Sequence, residues 1–218
     1  MLRILIADDH EVARRGIRSL LESHPGWEVC GEAKDGRETV ELATALKPDL
    51  ILLDIGMPNL NGLEAARQIL AISPGAVILI LTMHDSDHVV REVLRAGARG
   101  FLLKSDAGRD LVAAVEALQR QRTFFTTRVS QMVLDGYLDR DNQESEPGEV
   151  SGEVLTTRER EVIQLLAEGK TSKEVAVTLN LSVKTAETHR TNLMRKLDLH
   201  SVADLTRYAV RNGIVQVF

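Results

Sequence analysis

Residues 48–63 read PDLILLDIGMPNLNGL. The run 50–53 is apolar without interruption, too short for a helix, and it stops at Asp54 ahead of Gly56, Pro58 and Gly62. A continuous apolar run bounded by turn residues is the pattern of a strand buried on both faces, as in a parallel sheet. Similar strand-like stretches occur at 3–7, 28–33, 77–81 and 100–103. Between them lie amphipathic stretches at 11–24, 36–46, 63–72 and 86–96, and another follows at 109–120. In each, apolar residues recur at helical spacing; in the first these are Val12, Ile17, Leu20 and Leu21. Five strands alternating with five helices predict a doubly wound parallel sheet covered on both faces. A further helix is expected over 127–138.

The ends of the strands carry the chemistry. Asp8 and Asp9 follow the first strand, Asp54 the third, Thr82 ends the fourth and Lys104 the fifth. Ligands of open parallel sheets bind outside the carboxyl ends of the strands, so these five groups are expected to converge. Each alone has a plainer reading. Asp8 and Asp9 could cap a helix. Asp54 could open a turn, Thr82 could cap the next helix, and Lys104 could be surface charge. Together their types make chemical sense. Three carboxylates brought close repel unless a cation neutralises them. Mg²⁺, with its preference for hard oxygen ligands, suits that place. Asp54 is read as nucleophile and metal ligand, and Asp8 and Asp9 as metal holders. A carboxylate can accept a phosphoryl group as an acyl phosphate. Lys104 would then supply positive charge and the Thr82 hydroxyl a hydrogen bond.

Composition narrows the setting. The chain has 218 residues, a net charge of −5 and only 3% aromatics. A single cysteine, Cys30, excludes an internal disulfide and fits a reducing compartment. The longest apolar runs fall far short of the roughly 20 residues that cross a bilayer. The N-terminus meets acid at Asp8 before a signal peptide could form. A cytoplasmic protein without membrane contact is expected. Residues 1–150 hold 17 basic and 24 acidic residues, whereas residues 151–218 hold 10 and 8. The boundary follows residues 139–152, DRDNQESEPGEVSG, whose only apolar side chain is Val150. Such a stretch cannot bury enough surface to offset its ordering entropy and reads as an acidic linker.

Beyond the linker, Thr156 and Glu159 have capping-box spacing, as do Thr171 and Glu174. Val162, Ile163, Leu165 and Leu166 form a core stripe that ends near Gly169. Asn180 suits a left-handed turn, Ser182 can cap a third helix through Leu197, and Ser201 begins a fourth, 202–211. Two short helices joined by a tight turn fit a helix-turn-helix. In the third helix Ala186, Leu193 and Leu197 face inward. Lys184, Glu187, Thr188, Thr191 and Arg195 line the opposite side, with Thr185 and Arg190 beside them. Four basic residues and one acid between Ser182 and Leu197 make this segment cationic within an acidic chain. Such a face can enter the major groove of DNA, although a solvated helix face has the same charge. His189 is a packed or phosphate-contacting residue, because no partner ligands stand nearby in sequence.

Two family resemblances join here. Residues 8–9 (DD), 54–58 (DIGMP), Gly62, 81–82 (LT) and 101–104 (FLLK) resemble the receiver domain of response regulators, over roughly the first 120 residues. That resemblance implies a flavodoxin-like fold and phosphorylation of Asp54 by a sensor histidine kinase. It implies a Mg²⁺ shell completed by the Gly56 carbonyl, and Thr82 and Phe101 as residues that shift when phosphate arrives. Ser105 departs from the proline that many receivers place after the lysine, and Met83 stands where a small residue is frequent. The run 155–197, LTTREREVIQLLAEGKTSKEVAVTLNLSVKTAETHRTNLMRKL, resembles the LuxR-type DNA-binding domain. The pairing resembles the NarL/FixJ subfamily, in which the helix matching 182–197 reads DNA and the last helix pairs two subunits. The expected organisation is a receiver over 1–121, a connecting helix and linker over 122–152, and an all-α domain of four helices over 153–218. The expected function is a transcriptional regulator of a two-component system, switched by phosphorylation, that binds promoter DNA as a homodimer. It would not be an enzyme in the ordinary sense, acting only in Mg²⁺-dependent phosphotransfer to its own Asp54 and the slow hydrolysis that follows. Two other functions compete. An aspartyl-phosphate hydrolase commonly has a second acid two residues after its nucleophile, where this chain has Gly56. A DNA binder indifferent to phosphate would have no use for the acidic triad and Lys104.

Overall fold

A computed structural model describes residues 1–83, 87–127, 129–131 and 155–215. The first part contains strands β1 (Leu2–Ala7), β2 (Trp27–Ala33), β3 (Leu50–Asp54), β4 (Ile78–Thr82) and β5 (Gly100–Leu103). They form one sheet of order β2-β1-β3-β4-β5, and every pair is parallel. The connecting helices are α1 (Glu11–Glu22), α2 (Gly36–Leu46), α3 (Gly62–Ile72) and α4 (Asp87–Arg95), and α5 (Ala107–Gln119) follows β5. The doubly wound, flavodoxin-like arrangement expected from the alternation is therefore present.

Strand side chains alternate between two cores. Leu5, Ile51, Leu53 and Ile80 pack on one side with Ala65 and Ile69 of α3 and Val90 and Val93 of α4. Ile4, Ile6, Leu52 and Leu81 pack on the other with Ile17 and Leu21 of α1 and Leu111 and Val115 of α5. The ladder continues one residue beyond two of the apolar runs. Asp54 pairs in register with Leu81, and Thr82 with Leu103. Both functional side chains thus stand on backbone held by the sheet. The helix expected from residue 109 begins at Ala107, because Lys104–Asp106 form a 3₁₀ turn that leads into it. A bridge between Gly100 and Phe124, closed by Phe101 N–H donating to Phe124 C=O at 2.9 Å, was not legible in the sequence. Residues 127 and 129–131 are helical, where a helix over 127–138 is expected. The remainder of that segment and the linker 139–152 lie outside the described residues.

The second part has helices α6 (Thr157–Ala167), α7 (Ser172–Thr178), α8 (Val183–Lys196) and α9 (Val202–Arg211). Both capping boxes form, at Thr156–Glu159 and Thr171–Glu174, while Ser182 and Ser201 cap the last two helices. Asn180 has a φ of 52° in the turn between α7 and α8, as its residue type suggested. Val162, Ile163, Leu165, Ala186, Leu193, Leu205 and Ala209 make a third, separate core. Among the described residues, no helix is long and apolar enough to cross a membrane.

Candidate phosphoacceptor site and nucleic-acid face

The C-terminal ends of β1, β3, β4 and β5 bring the expected residues together. Lys104 Nζ stands 2.8 Å from Asp8 Oδ2 and 2.9 Å from Asp54 Oδ2. Asp8, Asp54 and Thr82 are all buried. The residue after Asp54 in the chain, Ile55, accepts from Gly62 N–H at 2.9 Å, folding the β3–α3 connection back over the strand end. A Cβ at Gly62 would lie 1.9 Å from the Asp54 carbonyl oxygen, so only glycine fits there. Gly36 is constrained likewise, since a Cβ would lie 2.1 Å from the Leu60 carbonyl oxygen.

Electrostatics at the site are opposed. Burial pushes the Asp54 carboxyl above its ordinary range, and the attraction of Lys104 offsets only part of this. Burial works against the Lys104 charge, yet the Asp54 and Asp8 carboxylates outweigh it and raise the Lys104 pKa. Asp8, Asp9, His10 and Asp54 offer ligand atoms all within 4.8 Å of one another. Asp8 Oδ2 and Asp9 Oδ1 are buried and make no well-aligned hydrogen bond. Lys104 Nζ lies 2.8 Å from the first and the His10 ring Nδ1 lies 2.7 Å from the second. Three carboxylates gathered around a single ammonium are what a hard divalent cation would balance, so the donor set fits one. His10 was not among the expected ligands; its position one residue past the acidic pair was the available signal.

Thr82 lies beside this group at the end of β4. Phe101 is buried in the core on the α3/α4 side. Met83 is exposed, immediately after Thr82. Gly56 and Asp9 line a cavity of about 120 Å³.

The opposite wall of that cavity comes from the second domain: Gln164, Glu168, Ile214 and Val215. Nothing in the sequence indicated this. The Gln164 amide spans the β3–α3 loop, donating to Met57 C=O at 3.1 Å and accepting from Asn61 N–H at 2.8 Å. Asn61 Nδ2 donates to Ile214 C=O at 2.9 Å, and Asn59 N–H donates to the Glu168 carboxylate at 3.1 Å. Gln68 donates to Glu161 at 2.8 Å, and Arg37 contacts the same carboxylate at 3.3 Å. These contacts involve α6 and the segment after α9, while α8 stays outside them. On α8, Ala186 and Leu193 are buried, and Lys184, Thr185, Glu187, Thr188, Thr191 and Arg195 are exposed. Arg190 and His189 are half-buried.

Comparison with known proteins agrees with both halves. The response regulator receiver domain family matches residues 4–116, and the luxR family of bacterial regulatory proteins matches residues 153–209. The transcriptional regulatory protein LiaR of Bacillus subtilis (strain 168) is 38% identical over 215 residues, 99% of this chain and all of LiaR. The oxygen regulatory protein NreC of Staphylococcus carnosus is 34% identical, covering 98% of this chain and 99% of its own. Among solved structures, RcsB from Salmonella enterica serovar Typhimurium, bound to promoter rprA with the phosphomimetic BeF3⁻, aligns over 95% of this chain and 97% of its own. Its TM-score is 0.58 at 28% identity. A LuxR-family regulator from Aurantimonas sp. SI85-9A1 aligns over 62% of this chain and 97% of its own, with a TM-score of 0.59 at 34% identity. The chain belongs to the response regulators of NarL/FixJ type, a receiver joined to a LuxR-type DNA-binding domain. Its function is that of a two-component transcriptional regulator.

Proposed function

We propose that Asp54 is the phosphoacceptor and that its phosphorylation controls promoter binding through α8. The reading rests chiefly on one observation, the Lys104 ammonium held between the Asp8 and Asp54 carboxylates. In the transfer, an Asp54 carboxylate oxygen bonds to the phosphorus of a phosphohistidine as its P–N bond breaks. The electron pair leaves on the donor imidazole, which takes a proton from water. Lys104 neutralises charge that builds on the phosphoryl oxygens, and Thr82 at the neighbouring strand end donates a hydrogen bond to one of them. Asp8, Asp9, Asp54 and the Gly56 carbonyl would hold Mg²⁺. Bound there, the ion would supply positive charge that lets three carboxylates and a phosphoryl group share one cup. Slow hydrolysis of the acyl phosphate at the same place resets the protein, and Thr82 and Phe101 carry the change outward.

The partners follow from the family: a sensor histidine kinase, double-stranded promoter DNA and a second copy of this chain, all met in the cytoplasm. RcsB, a structural relative, is bound to a promoter in the presence of a phosphoryl mimic. Lys184, Thr185, Glu187, Thr188, Arg190, Thr191 and Arg195 would form the DNA-contacting face, and α9 would pair two subunits. Val202 and Val210, exposed on α9, are the apolar contacts available to that pairing. The functional units are a receiver over 1–121, a connection over 122–152 and a DNA-binding domain over 153–218. Phosphorylation adds up to about two negative charges beside a loop that Glu168 also contacts. It would therefore shift the population away from the docked arrangement. The test is labelling by acetyl phosphate with Mg²⁺, followed by selection of bound DNA with and without the donor. Label on native protein but not on Asp54→Ala, with donor-dependent DNA enrichment, is the expected result. Equal labelling of both proteins overturns the assignment.

A further inference from the structure

Glu187 is the one acidic residue of α8, and it stands on the exposed face among Lys184, Thr188 and Thr191. Elsewhere in this chain a carboxylate followed three residues later by arginine commonly closes an ion pair. Glu64–Arg67, Glu92–Arg95, Asp106–Arg109 and Asp204–Arg207 all do so. Where it does not, at Glu11 and Arg14, both groups find other partners in Arg15 and Glu32. Glu187 and Arg190 have the same spacing and remain apart; among the described residues, no ion pair or side-chain hydrogen bond holds the Glu187 carboxylate. Lys184, three residues before it, is likewise unpaired. Thr188 and Thr191 spend their hydroxyl hydrogens on the helix itself, donating to Lys184 C=O at 2.9 Å and Glu187 C=O at 3.0 Å. Glu187 therefore presents an acceptor that no group of the described residues occupies.

A carboxylate on a surface that approaches phosphates is repelled unless it meets a donor. In the major groove the only donors are cytosine N4–H and adenine N6–H. Adenine sets the N7 acceptor beside N6, which would repel the second carboxylate oxygen. Cytosine sets a C–H there. Guanine and thymine offer acceptors only. The opposite strand of a C·G pair places guanine O6 and N7 within the same groove, and these suit a lysine such as Lys184. We infer that Glu187 is a specificity-determining residue that reads a cytosine in each half-site. The inference rests on the assignment of α8 as the DNA-reading helix.

The test uses the full-length protein, activated with acetyl phosphate and Mg²⁺, on a randomised duplex library. Native protein should enrich a motif with one half-site position at which cytosine exceeds each other base by about tenfold. Glu187→Ala should flatten that position to under about threefold and leave the others in place. Glu187→Gln should move the preference there towards adenine, which an amide can bind through N6 and N7. Glu187 is exposed and outside every core, and retained enrichment at the other motif positions confirms that the DNA-binding domain of each variant is folded. If Glu187→Ala selects the native motif with its cytosine intact, the inference is wrong although DNA reading stands. If native protein enriches no motif, the reading of α8 fails first and this inference with it.

Discussion

Asp54 shows what a reactive residue costs its fold. Burial raises its pKa above the unfolded value, so the native state holds the proton more tightly than the unfolded chain. Its contribution to stability is therefore present below the unfolded pKa and lost as pH rises through the folded one. In buffer with chelator, native protein should lose stability relative to Asp54→Asn as pH climbs through and just above the carboxylate range. At pH 7 the variant should melt a few degrees higher while accepting no phosphate. Thermal melts across pH check this, and a variant that melts lower at neutral pH refutes it. Gly62 illustrates the converse, a residue fixed by shape. A methyl group 1.9 Å from the Asp54 carbonyl oxygen must displace the loop that carries Gly56. Gly62→Ala is expected to cost about 3 kcal/mol in denaturant unfolding and to weaken Mg²⁺-dependent labelling as well. Asp8, Asp9, Asp54, Thr82 and Lys104 were legible in the sequence because strand ends are local events that a two-residue period and flanking turns reveal. His10 was not, because its place in the cluster depends on how the chain leaves β1.

At the scale of elements, the caps and cores set how far a change spreads. Thr171 accepts from Glu174 N–H at 3.3 Å, and Glu174 Oε2 accepts from Thr171 N–H at 2.8 Å. Thr171→Ala should cost about 1 kcal/mol, seen as a lower denaturant midpoint for the second domain. Leu193 lies in the core of that domain, with no part in either receiver core. Leu193→Ala should destabilise the domain by about 2–5 kcal/mol and abolish DNA binding. Asp54 labelling should persist, since its sheet is packed by other residues. Labelling lost in parallel with DNA binding would mean that the two units fold as one. Capping boxes were readable because they need only four consecutive residues. The start of α5 at Ala107 was missed because the 3₁₀ turn over Lys104–Asp106 carries no apolar period.

The whole molecule is joined by a small polar seam. Gln164 is buried and makes both of its bridging bonds to the β3–α3 loop. A buried amide left without partners is costly, so removing one side of this pair should loosen the docking. Gln164→Ala is expected to enlarge the radius of gyration in solution scattering and to leave each domain's fold unchanged. An unaltered scattering curve would show that the seam does not hold the domains. Two cores on a five-stranded parallel sheet, a third core of four helices, the strand-end carboxylates and the cationic α8 were determined by the sequence itself. Each is written in periodicity, caps and residue type over short distances along the chain. The roof that Gln164, Glu168 and Ile214 form over the cavity was decided only by tertiary structure. Its bonds join residues more than a hundred positions apart, such as Asn61 with Gln164. Polar contacts of that kind leave no period in either partner, since a buried glutamine and an exposed one look alike until the surfaces meet.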